Sequence, residues 1–265
     1  MPSSRWRPGS SAGRSGAEDG RNDAAAMQRV CEPELMDDAA QALAYAEADF
    51  SVSDAAFSAR ILALWAEKAE RERARWRPAA PGDRRGGSAD GPPLRVVDLG
   101  CGPGNISFLL ARACPHATVL GLDGSAPMLA IAAERLRAEP SLAGRLSFRA
   151  GRLPLSHDEL EALGGGFDLL VSNSLLHHLA DPQVFWRELG RLAAPGAWLV
   201  LRDLRRPASP AAVKELVARH AAAASPQLRH DFEASLHAAF RLEEVRDQLR
   251  AAGLEGLRLA EREDR

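Results

Sequence analysis

The residues able to do chemistry gather at the ends of short apolar runs. Val96-Val97-Asp98-Leu99-Gly100-Cys101-Gly102-Pro103-Gly104-Asn105 is one such run, emptying into a turn with glycine at every second position. Glycine permits the positive φ that a tight bend requires and lets the backbone approach a ligand with no Cβ between them. The helix expected directly behind it, Ile106–Cys114, offers unpaired N–H groups and positive potential. The glycines stand at 100, 102 and 104, which is not the dinucleotide spacing GxGxxG. This turn suits a ligand that needs no pyrophosphate cradle. Further on, Val119-Leu120-Gly121-Leu122-Asp123 ends in a carboxylate followed by Gly124. An acid about 20 residues past such a loop is positioned to grip ribose hydroxyls. Adjacent parallel strands lie about 4.8 Å apart, so the two tips face one ligand.

A third run, Phe167-Asp168-Leu169-Leu170-Val171-Ser172, is followed by Asn173-Ser174-Leu175-Leu176-His177-His178. Either histidine can exchange a proton near neutral pH, so both are candidate catalytic groups. They are not read as metal ligands, because no third His, Cys or acid stands at ligand spacing. Arg202-Asp203-Leu204-Arg205-Arg206 closes a fourth run. Its arginines suit either an anionic acceptor or ion pairs with neighbouring acids.

VVDLGCGPGN followed by VLGLDGSAPML resembles the first two motifs of the class I S-adenosylmethionine-dependent methyltransferases, and the likeness extends over roughly Leu94 to Leu204. The resemblance implies a small-molecule methyltransferase with S-adenosyl-L-methionine lying across the carboxyl ends of the first strands. By position, Gly100, Gly102 and Gly104 pass beneath the methionine moiety, Asp98 orients the amino group, and Asp123 with Gly124 serves the ribose. Asn173 and Ser174 sit beside the transferring methyl. Two departures follow. Ala150-Gly151-Arg152-Leu153-Pro154 lacks the acid that commonly holds the adenine amino group, which leaves Gly151 and Arg152 as the adenine-side candidates. The antiparallel seventh strand usual in the family also has no counterpart, so the sheet is expected to have six or seven strands. Two other functions fit the motifs: a non-catalytic S-adenosylmethionine-binding regulatory subunit, and a methyltransferase acting on a macromolecule.

Strand-like runs at Leu94–Leu99, Ala117–Leu122, Leu146–Phe148, Phe167–Ser172 and Trp198–Arg202 alternate with helices beginning near Asn105, Ser125, Ser156 and Pro182. Such alternation predicts an α/β, Rossmann-like, mostly parallel sheet covered by helices on both faces. After the fifth strand, helices are expected at Pro210–Ala224, Asp231–Phe240 and Leu242–Ala252, with one more strand at Leu257–Ala260. A crossover needs only one helix, so about 207–240 is read as an inserted cap over the ligand edge. His230, Asp231 and His237 lie in it. Upstream, 31–77 reads as a helical segment, with one helix in Asp37–Phe50 and another capped by Ser53 or Asp54 and running to Arg75. Tyr45 and Phe50 are candidates to cover the methyl site, although ordinary helix packing explains them as well. Residues 78–93 carry the Pro and Gly of a linker.

A formal net charge of -2 argues against a broadly basic nucleic-acid-binding surface, and no apolar run has membrane-spanning length. Cys31, Cys101 and Cys114 form no CxxC pair, which suits a reducing, cytoplasmic setting. Residues 1–30 read as a disordered tail. The stretch Met1–Ala17, rich in Arg, Ser and Gly and free of acids, also has the composition of an organelle transit peptide.

Overall fold

The computed structural model describes residues 27–33, 35–75 and 94–262. The predicted linker at 78–93, and all but the last few residues of the predicted tail, lie outside the described residues. Five strands, β1 (Leu94–Leu99), β2 (Ala117–Asp123), β3 (Leu146–Ala150), β4 (Phe167–Asn173) and β5 (Ala193–Arg202), form one sheet in the order β3-β2-β1-β4-β5. Every pairing is parallel. The chain moves to one side of β1 for β2 and β3, then crosses to the other for β4. In open α/β sheets, ligands bind in the crevice outside the carboxyl ends at such a switch.

Alternation along the strands explains the two apolar layers. Val96, Val119, Leu169 and Val171 pack with Ile106, Phe108 and Leu110 of α3 (Asn105–Ala113) and with Phe57 and Ile61 of α2 (Ser51–Arg75). Val97, Leu99, Leu122 and Leu170 face the other way, onto Phe185, Trp186, Leu189 and Leu192 of α6 (Gln183–Leu192) and Leu249 of α9 (Leu242–Ala251). Burying each such side chain contributes roughly 1.5–3 kcal/mol. Local signals end the helices where the chemistry demands. Ser125 caps α4 (Ala126–Ala138), and Ser156 with Glu159 forms a capping box on α5 (His157–Leu163), which stops at left-handed Gly164. Upstream of the sheet lie α1 (Ala39–Glu47) and α2.

Several expectations are corrected. The described residues hold five strands, not six or seven. Leu257–Ala260 pairs with no strand; its Leu257, with Leu254, packs into the core while Glu261 pairs with Arg205. Four residues of suitable hydropathy do not specify a partner. After β5, α7 (Pro210–His220) ends before Ala224, and α8 (Pro226–Ala238) begins well before Asp231, because Ser225 caps it with proline at its first position. Neither Ser53 nor Asp54 caps α2, which starts at Ser51 on the Asp49 carboxylate. Asp54 is buried and turned to other work. Val213, Leu216 and Val217 of α7 with Leu236 of α8 make a separate small core, so this helical pair holds itself together beside the sheet.

Candidate active site

The turn after β1 is held against β2. Gly100 N–H and Cys101 N–H both donate to the Leu122 carbonyl, at 2.8 and 3.0 Å. Gly100, Gly102 and Gly104 have φ of 67°, 53° and 87°. A Cβ at Gly104 would stand 2.8 Å from Phe148 Cζ, whereas one at Gly102 meets nothing within 4 Å. Gly104 is therefore demanded by packing and conformation, and Gly102 by conformation and the open space beside it.

Two carboxylates frame this turn. Asp123, at the tip of β2, accepts from Gly102 N–H at 2.7 Å and from Ser125 N–H at 2.8 Å, one on each oxygen. A carboxylate has about four acceptor sites, so two remain for a ligand. Burial raises its pKa, partly offset by those amide hydrogen bonds. Asp98, one strand over and 1% exposed, accepts from the Ser107 hydroxyl at 2.6 Å through one oxygen. Its other oxygen, Oδ1, is buried with no hydrogen-bond partner. Burial pushes the Asp98 carboxyl up to about 7, with Ser107 opposing and the Asp123 charge adding. An acid held dry with one bare oxygen lacks a cationic or donor partner.

Beyond β4, Ser174 adopts positive φ at 60° and a short 3-10 turn, Leu176–His178, follows. Both oxygens of Asp203 serve this turn, one taking Leu176 N–H at 2.7 Å and the other meeting His177 Nδ1 at 2.5 Å. Burial favours neutral His177, but the Asp203 and then the Glu32 charge outweigh it, and the imidazole pKa is raised. Burial likewise works against the Asp203 charge, yet His177 and two backbone amides hold that carboxyl low. His178 is driven down to about 3 by burial and by the His177 charge. Glu32 Oε1 lies 3.4 Å from His177 Nε2 and 3.3 Å from His178 Nδ1. No third donor stands at ligand spacing in the sequence; Glu32, from a distant segment, joins the histidines in space.

That segment, with its neighbours, closes the crevice. Arg29 donates to the carbonyls of His177, Leu179 and Ala238. Ser125 Oγ donates to the Met36 carbonyl, and Leu35 covers Gly124, where a Cβ would meet it at 2.6 Å. Arg202 is tied to Asn173 Oδ1, the Ser53 carbonyl and Asp54, and its guanidinium lies over Phe57. Arg205 pairs with Glu261, and buried Arg206 with Glu244. These arginines are engaged internally, which agrees with the second of the two readings, ion pairs with neighbouring acids.

A cavity of about 1250 Å³ joins these groups. Its walls include Asp98, the turn from Gly100 to Gly102, Asp123, Gly124, Gly151, Arg152, Asn173, Ser174, His177 and His178. Gly104 lies behind the turn, against Phe148. Tyr45 and Phe50, their rings 4.9 Å apart, line the cavity as well, as do Asp231 and Phe232 of α8, whereas His230 and His237 do not. Sequence reasoning missed Asp54, which lines the cavity, and Glu32, which meets both histidines, and took Asp203 only as part of a basic run. Asp203 carried a readable signal, an acid just past a strand end. Glu32 carried none.

The fold is an open α/β domain, and its cleft lies at the strand switch point. Residues 97–199 match the family model described as a methyltransferase domain. The chain is 39% identical over 111 residues to a trans-aconitate 2-methyltransferase of Deinococcus radiodurans, covering 42% of this chain and 38% of that one. It is 29% identical over 162 residues to a ubiquinone biosynthesis O-methyltransferase of Rhizobium etli, covering 61% and 60%. The matches thus span less than two thirds of these relatives. Among solved structures, a plantazolicin methyltransferase BamL bound to a triazolic desmethylPZN analog and SAH superposes with a TM-score of 0.48 at 19% identity, over 60% of this chain and 54% of that one. Over residues 97–199 the chain is thus similar to methyltransferase domains.

Proposed function

We propose that this protein transfers the methyl group of S-adenosylmethionine to a small-molecule acceptor and releases S-adenosylhomocysteine. The bare Oδ1 of Asp98, buried beside the glycine turn, carries the proposal. It fits the cofactor's ammonium, which would supply the missing cationic partner. Asp123 accepts the ribose hydroxyls with its two remaining sites, and the turn from Gly100 to Gly102 runs beneath the methionine chain, with Gly104 behind it. Gly124, Gly151 and Arg152 flank the nucleoside side, while Asn173 and Ser174 flank the methyl. When bound, the cofactor supplies an electrophilic methyl on a sulfonium. The protein's task is then to orient the acceptor in line and exclude water.

Single-ligand pockets usually occupy roughly 300–1,000 Å³. The cavity is larger, which supports a cofactor and an acceptor side by side. His177 and His178 form the polar end of the acceptor side and are the candidate catalytic groups, with Asp203 fixing the tautomer of His177. Phe232, Leu228 and Phe240 provide apolar walls there. Relatives named for trans-aconitate and ubiquinone biosynthesis support a small-molecule acceptor. No described helix is long and apolar enough to cross a membrane. A reducing, cytoplasmic setting agrees with the free cysteines Cys31, Cys101 and Cys114. The test is incubation with methyl-labelled cofactor and a metabolite extract. Label should appear in a low-molecular-weight product; its absence there, or its appearance only in nucleic acid or protein, contradicts the proposal.

The glycines separate binding from folding. Gly102→Ala is expected to cost about 1 kcal/mol of stability, from its left-handed backbone alone, and to weaken cofactor binding because its methyl enters the cleft. Gly104→Ala adds a clash with Phe148 and should cost about 3 kcal/mol. Thermal unfolding and cofactor titration of both variants check the contrast. Equal destabilisation would refute it.

A further inference from the structure

We infer that Glu32, His177 and His178 form a binding site for one divalent transition-series cation at the acceptor end of the cavity. Three donor atoms, one from each residue, lie within 4.8 Å of one another. The separations of 3.4 and 3.3 Å from Glu32 Oε1 to the imidazole nitrogens decide between two readings. A charge-assisted hydrogen bond closes to about 2.7–2.9 Å, as the 2.5 Å contact of His177 with Asp203 does in this same cluster. Ligands about 2.1 Å from a metal and at tetrahedral angles to one another stand about 3.4 Å apart. The Glu32 contacts match the edges of a coordination polyhedron and are long for charge-assisted hydrogen bonds.

The surroundings fit the same assignment. Asp203 engages His177 Nδ1 and so turns the Nε2 lone pair towards Glu32, the outer-sphere carboxylate arrangement that orients metal-bound histidine. Ser235 Oγ lies 3.1 and 3.3 Å from the two Glu32 oxygens and orients that carboxylate. The Pro33 carbonyl, 3.4 Å from the same His178 Nδ1, accepts its N–H when no ion is bound, and ion binding would displace that proton. Two imidazole nitrogens and one carboxylate suit Zn²⁺ or another first-row divalent ion, and suit Mg²⁺ or Ca²⁺ poorly. Both histidines line the cavity, so coordination positions not taken by protein open onto it. There the ion would hold a hydroxyl or carboxylate oxygen of the acceptor. That role rests on the methyl-transfer reading; the site itself does not.

The full-length chain, stripped with a chelator, is titrated with Zn²⁺, counted by elemental analysis, and with Co²⁺, read by its visible absorption. One equivalent per chain is expected. Glu32→Gln and His178→Ala should bind at least tenfold more weakly, and Asp203→Asn about 10–100-fold more weakly, as loss of an outer-sphere partner does. Cofactor calorimetry on the same samples should be unchanged in Glu32→Gln, which also reports that this variant is folded. Absent stoichiometric uptake by the unaltered chain, or uptake equal in all variants, overturns the metal site while leaving methyl transfer standing. Metal uptake without cofactor binding refutes the methyl-transfer reading and leaves the site.

Discussion

Replacing Asp98 with asparagine is expected to weaken S-adenosylmethionine binding by about 100-fold, the loss of roughly 3 kcal/mol typical when one partner of a buried ion pair is removed. The same substitution should stabilise the ligand-free protein, and the sign depends on pH. Asp98 is pushed up to about 7 in the folded chain from an ordinary value of 3.8. Between those values the folded state holds a proton that the unfolded chain has released, so stability falls as pH rises through the window. The penalty is absent below the lower value and complete above the upper one. Asp98→Asn should therefore match the unaltered protein near pH 4 and unfold at a higher temperature near pH 8, about 2–4 °C per kcal/mol for a chain of this size. Cofactor binding follows the opposite trend. An ammonium partner favours the ionised carboxylate, so binding below pH 7 expels a proton, and affinity should climb towards neutrality in the unaltered protein alone. Calorimetry in buffers of different ionisation enthalpy counts that proton. An affinity independent of pH would show that Asp98 is not the cation's partner.

Asp123→Ala is expected to weaken cofactor binding by about 10–100-fold, the range set by losing one hydrogen bond to a charged acceptor. It should also cost about 1–2 kcal/mol of stability, because Gly102 N–H and Ser125 N–H both lose their acceptor. The two effects can be separated. Asp123→Asn keeps one carbonyl oxygen for the backbone and should recover most of the stability while recovering little of the affinity. Chemical denaturation and equilibrium binding of the two variants check this. Unchanged affinity in Asp123→Ala would remove the ribose assignment.

The glycine turn and the two acids were legible because each is a local string. An apolar run fixes a strand, its tip fixes the carboxyl end of the sheet, and the residue at the tip is then committed to the crevice. The same logic predicted the five strands observed and the helices between them. It failed at Leu257–Ala260, where hydropathy matched a strand but partnership depends on the rest of the sheet. It also displaced α8, since the Ser225-Pro226 start lay unread inside a longer alanine-rich stretch. The histidine pair was legible as a pair but not as part of a cluster. Glu32 lies in a segment without periodicity, and only tertiary packing, with Arg29 pinned to the His177 and Leu179 carbonyls, brings it to the imidazoles. Asp54 shows the same limit: its position suited a helix cap, but burial and the Arg202 and Asn105 side chains claimed it.

Isothermal titration of the full chain with S-adenosylmethionine, and separately with S-adenosylhomocysteine, probes the cleft without needing to know the acceptor. One molecule bound per chain, with a Kd tighter than about 1 mM and a weaker fit in Asp98→Asn, is the outcome expected of a crevice built around an unpaired buried carboxylate. No heat from either compound at millimolar concentration, in protein shown to be folded, would contradict it.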